Sequence, residues 1–109
     1  MPNRIYFDTD KDTLRPDSTP ALQEIGKLMK SQPGLKIHVV GHTDNQGSIE
    51  HNLDLSRRRA QSIVAELRKT YQVDSTRMDF FGCAAYVPTN SNKGEQGRAK
   101  NRRVELVAW

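Results

Sequence analysis

The stretch from Leu35 to Phe81 restricts the fold more than any other part of this sequence. Leu35-Lys-Ile-His-Val-Val40 alternates apolar and polar residues and then stays apolar, as a largely buried strand would. A polar, glycine-bearing loop follows from Gly41 to His51. Asn52 is a suitable N-cap for a helix running to about Tyr71. Its apolar stripe is Leu53, Ala60, Ile63, Val64 and Leu67, with Ser56 on the same side. Arg77 to Phe81 then reads as a second strand. A long helix between two strands implies a right-handed crossover that lies on one face of a sheet.

The flanks extend the same alternation. Arg4-Ile-Tyr-Phe-Asp8 reads as a strand, and Thr9 to Arg15 as a loop. Pro20 fits the first turn of a helix, with Asp17, Ser18 and Thr19 available as caps. Leu22, Ile25, Leu28 and Met29 recur at helical spacing until Pro33-Gly34 ends the element. Gly82 to Gly97 is a long polar loop, and Arg102 to Val107 alternates as a final strand. The order β-α-β-α-β-β predicts an α/β fold, specifically an α+β sandwich whose four-stranded mixed sheet carries two main helices on one face.

A chain of 109 residues holds one hydrophobic core, so residues 1–109 are expected to form a single domain. Met1-Pro2-Asn3-Arg4 shows no signal-peptide pattern and leads directly into a strand, as in a domain cut from a longer protein. No apolar run approaches the ~18 residues that span a bilayer. Cys83, the single cysteine, cannot close an intrachain disulfide.

Seventeen basic and thirteen acidic side chains give a net charge of +4, which favours polyanionic partners without choosing among them. Arg57, Arg58 and Arg59 span less than one helical turn and so diverge, and the loops lack clustered aromatics for base stacking. Nucleic acid is therefore not the expected partner. His38 and His42 would stand ~13 Å apart if their strand continued, too far to share a metal ion. No His-Glu-x-x-His pattern or Cys pair occurs, and nothing orders Cys83 against a histidine. A non-catalytic domain without cofactor or metal is expected.

Three charged positions point to a binding site. Asp44 lies in Gly41-His-Thr-Asp-Asn-Gln-Gly47, after a buried strand and before a helix, where α/β sheets place ligands. Arg59 lies one turn before Ile63 and two before Leu67, so it projects beside the core stripe. The helix dipole offers a cation nothing near a helix N-terminus, and Arg59 needs an acidic partner. Asp44 could pair with it directly, or one ligand could carry both complementary charges. Arg102 shares strand parity with Val104 and Leu106 yet is charged, which places it at the rim of the sheet.

Gly41-His-Thr-Asp-Asn45, then Asn52-x-x-Leu55-Ser56-x-x-Arg59-Ala60, then Asn101-Arg-Arg-Val-Glu105 resemble the OmpA-like C-terminal domain family. The match runs from Tyr6 to Val107 and rests on three separated motifs in order. The resemblance implies a periplasmic module that binds the peptide stem of peptidoglycan, chiefly meso-diaminopimelate, and tethers an envelope protein to the wall. It further implies that Asp44 takes the ligand ammonium and Arg59 a carboxylate. Asn52 would supply a hydrogen bond, Arg102 a basic contact, and Asp10 a place in the pocket wall, flanked by Thr9 and Asp8. The sequence departs from the family pattern at Cys83 and Ala84-Ala85, at the start of a loop that varies widely in the family.

Overall fold

A computed structural model describes residues 3–109, so Met1 and Pro2, on which the signal-peptide reading partly falls, lie outside the described residues. The elements are β1 (Arg4–Tyr6), α1 (Thr19–Ser31), β2 (Ile37–Gly41), α2 (Ile49–Tyr71), β3 (Met78–Gly82), α3 (Glu95–Asn101) and β4 (Arg103–Ala108). Short 3-10 turns at Pro16–Ser18 and Ser75–Arg77 lead into α1 and β3. The strands form one mixed sheet in the order β1-β4-β2-β3. β2 and β3 are parallel and joined by α2, whereas β4 runs antiparallel to both β1 and β2.

The mixed four-stranded sheet agrees with the sequence reading, with three corrections. The third helix, α3, takes in residues 95–97, read as the end of a loop, and residues 98–101, assigned to no element. It has no apolar stripe to reveal its period, and Asn101 is its one buried residue. That side chain holds the preceding loop, accepting from the amides of Thr89 and Asn90 and donating to Asn90 O and Asn92 Oδ1. The second correction concerns α2, which starts at Ile49. Its cap is Ser48, whose Oγ accepts from the His51 amide at 3.1 Å. Asn52 is therefore inside the helix. The third is Leu53, which is 40% exposed, while Leu55 is buried in its place. The carbonyl of Leu53 sits against Gly82 of β3, an edge strand with nothing beyond it to cover the side chain.

Ile25 and Met29 of α1, Ile63 and Leu67 of α2, and Ile37, Val39, Val104 and Leu106 of the sheet form the core. Each such side chain contributes roughly 1.5–3 kcal/mol of burial. Gly41 and Gly82, paired across β2 and β3, let α2 close on the strand ends. A Cβ on Gly41 would stand 1.8 Å from Ser56 O, and one on Gly82 would stand 2.6 Å from the Arg57 amide nitrogen. The helix thus presents its first turns at the carboxyl ends of β2 and β3. Among the described residues no helix covers the opposite sheet face at β2 and β3, where His38 stacks on Trp109 with ring centroids 5.0 Å apart and Phe81 and Val107 are about half exposed.

Candidate functional site at the strand ends

Arg59 lies in the third turn of α2 and is completely buried. The expected acidic partner is absent from its hydrogen bonds. Nε donates to Lys11 O at 2.7 Å, Nη1 to His42 O at 2.9 Å and Nη2 to Asp8 O at 2.9 Å, so carbonyls of two loops hold it. Its guanidinium also lies over the Phe7 ring, 5.4 Å from the centroid. Among the described residues it forms no ion pair, and burial pushes its pKa down to about 10, against the attraction of Asp44 and Asp10. A guanidinium has five N–H groups, so two remain beyond the three bonds described.

Asp44 is buried and pairs instead with Arg102. Its Oδ2 accepts from Arg102 Nη1 at 3.1 Å, and its Oδ1 accepts from the Gln46 amide at 3.0 Å. Arg102 immediately precedes β4 and stands at the sheet rim, as its strand parity suggested. Its Nε donates to Phe7 O at 3.2 Å, and both Nη atoms reach the Glu95 carboxylate at 3.2 and 3.1 Å. Burial opposes the charge on Arg102, but its bonds to Glu95 and Asp44 prevail and hold its pKa above the ordinary arginine value. The same bond to Arg102 holds the Glu95 carboxyl below the usual range.

The other expected site residues divide into two groups. Asn52 faces inward, donating through Nδ2 to Gln46 O at 2.9 Å, and so braces the loop that carries Asp44. Asp10 stands at the tip of the β1–α1 loop with a left-handed backbone at φ 57°. Its carboxylate meets His51 Nε2 at 2.5 Å, and that bond lowers its pKa. By contrast, the Asp8 carboxylate turns toward Arg15 at 3.7 Å, and only its main-chain carbonyl joins the site. Thr9 is exposed.

Sequence reasoning missed Glu95, His51 and the ring of His42. The helical spacing of Glu95 and Arg98 could have signalled α3 and hence Glu95. Nothing in the sequence pairs His51 with Asp10. His42 is 3% exposed, and both ring nitrogens are buried without a hydrogen-bond partner among the described residues. Burial, followed by repulsion from Arg103, drives its pKa down to about 4, so the ring is neutral near pH 7.

The fold defines an α+β sandwich with a charged rim where loops and helix starts meet the strand ends. A model of the OmpA family matches residues 6–102, and the chain belongs to that family. The chain is 36% identical over 107 residues to "Probable lipoprotein YiaD" of Escherichia coli K12, covering 98% of this chain and 48% of that protein. It is 33% identical over 106 residues to the peptidoglycan-associated lipoprotein of Legionella pneumophila, covering 96% of this chain and 60% of the relative. The crystal structure of the peptidoglycan-associated lipoprotein from Burkholderia pseudomallei superposes with a TM-score of 0.93 at 29% identity, covering 98% of this chain and 90% of that one. The chain therefore spans about half the length of the first of these relatives. No helix among the described residues is long and apolar enough to cross a membrane.

Proposed function

We propose that this chain is a non-catalytic module that binds the peptide stem of peptidoglycan through meso-diaminopimelate. It would thereby hold a longer envelope protein to the wall from the periplasmic side. The observation that carries this reading is the charge balance of the rim. Two buried guanidiniums, Arg59 and Arg102, stand near one buried carboxylate, Asp44, which pairs with Arg102. Arg102 has Asp44 and Glu95, but Arg59 has carbonyl dipoles and the Phe7 ring and, among the described residues, no paired carboxylate. A ligand carboxylate would complete it through the two remaining N–H groups.

Diaminopimelate ends in an amino acid head with an ammonium and a carboxylate a few ångströms apart. In this reading Asp44 and Asp10 attract the ammonium, Arg59 takes the carboxylate, and Asn52 keeps the Asp44 loop in register. Each charge-assisted contact contributes ~1.5–3 kcal/mol. Arg59 has no solvent-accessible surface, so ligand entry requires the covering rim to shift. Two of the relatives are peptidoglycan-associated lipoproteins, which supports the wall polymer as the partner.

The reading is tested by sedimentation with insoluble peptidoglycan, followed by calorimetric titration of two stem peptides. The peptides differ only in carrying diaminopimelate or lysine. Lysine retains an ammonium but lacks the terminal carboxylate, so its peptide should bind roughly tenfold to a hundredfold more weakly. Equal affinities would remove Arg59 from the mechanism, and a parent chain that fails to sediment would remove the wall itself.

A further inference from the structure

Asp10 has an unusual backbone and a specific partner. A non-glycine residue at φ 57° is uncommon, although aspartate tolerates that region better than most. The loop holds this shape because Arg59 binds the carbonyls on either side of it, those of Asp8 and Lys11. The carboxylate so presented accepts a hydrogen bond at 2.5 Å from Nε2 of His51, in the first turn of α2. The two residues are 41 positions apart, so the contact joins the β1–α1 loop to the helix start.

We propose that His51 is a positioning residue for the ligand's cationic group, presenting the Asp10 carboxylate when neutral and withdrawing it from the ligand when protonated. This rests on the peptidoglycan reading above. A neutral imidazole donates one N–H and leaves Asp10 its full charge and its spare lone pairs. A protonated imidazole neutralises Asp10 and adds positive charge beside the place where an ammonium would sit.

Several charged groups surround the pair. Arg59 lies beneath the loop, and Arg58 is held between Asp12 and Asp54 at 2.9 and 2.7 Å. Lys11 and Asp12 belong to the loop, and Glu50 and Asp54 to the helix that carries His51. From the β2–α2 turn the ring meets Gly47, which has no charge. Of the other two histidines, His38 pairs with Asp79 on the uncovered sheet face and His42 is buried and neutral. Imidazole is the side chain whose ordinary titration falls in this range, whereas the amines and carboxylates of a stem peptide hold their charges between pH 5.5 and 7.

The experiment measures affinity for the diaminopimelate stem peptide from pH 5.5 to 7.0 with the intact chain, His51→Gln and His51→Ala. The parent should gain roughly threefold in affinity across that range, the scale of an exposed charge pair. His51→Gln, which keeps a donor but has no imidazole, should show a flat profile. His51→Ala should be flat and weaker, because nothing then orients Asp10. A flat parent profile, or a His51→Gln profile as steep as the parent's, overturns the assignment while leaving wall binding intact. A parent that binds at no pH overturns the functional reading beneath it.

Discussion

Arg59 and Arg77 stand at opposite ends of the sheet and donate to the same kind of acceptor, with different results. Arg77 gives Nε to Leu35 O at 3.0 Å and Nη2 to Met29 O and Gln32 O, both at 2.7 Å. Those carbonyls lie at and just beyond the C-terminus of α1, where the helix leaves acceptors unpaired and its dipole favours a cation. Solvent still reaches the side chain. Arg59 binds three carbonyls as well, but it is sealed from water, and its pKa falls to about 10. The number of hydrogen bonds does not distinguish the two arginines. The difference lies in whether the charge is answered once the hydrogen bonds are made.

The largest test of this contrast is to remove each arginine. Arg59→Ala should abolish sedimentation with peptidoglycan and lower stability by roughly 2–3 kcal/mol, because three buried carbonyls lose their donor. Arg77→Ala should lower stability by about 1 kcal/mol, read by urea unfolding, and leave wall binding unchanged. Equal loss of binding in the two variants would break the comparison.

A second test uses His42, whose carbonyl serves Arg59 while its ring serves nothing. The folded pKa of about 4 lies below the ordinary value of 6.5, so the unfolded chain binds more protons between them. The contribution of His42 to stability is therefore complete above pH 6.5 and drains as pH falls toward 4. Acidification from pH 7 to 4.5 should remove about 2 kcal/mol through this group. His42→Leu keeps the carbonyl and should lose that much less stability over the same range. If the variant and the parent lose stability in parallel, the ring has a partner.

The smallest expected effect belongs to Glu95. Glu95→Gln weakens the outer hold on Arg102, which then leans on Asp44 and leaves that carboxylate less available. Affinity for the stem peptide should fall about twofold to fivefold without a change in the unfolding midpoint. Affinity equal to the parent's would mean that Asp44 alone decides where Arg102 points.

The elements that bury a stripe were legible in the sequence. The strand from Leu35 and the helix carrying Ile63 and Leu67 show their periods because one face of each meets the core. The inward placement of Arg59 followed from the same spacing. What answers its charge did not, because a main-chain carbonyl acceptor has no residue type to betray it, and an acid was expected instead. α3 left no period because it is held by the side chain of Asn101 and not by an apolar face. The inward turn of Asn52 was hidden for a related reason. Ile49, in the true first turn of α2, is 57% exposed and adds nothing to the stripe.

The position of β4 bears on how the molecule is made. The last strand in sequence is an inner strand, pairing Arg4 with Glu105 on one side and Gly41 with Val104 on the other. A ribosome or an export channel delivers residues in order, so β1 and β2 emerge first with a vacant slot between them. Arg102, which closes the rim over Asp44, arrives with the strand that fills that slot. Sheet and charged rim are therefore completed in one late event, since a nascent chain ending before Arg102 has neither a partner for β1 nor a partner for Asp44.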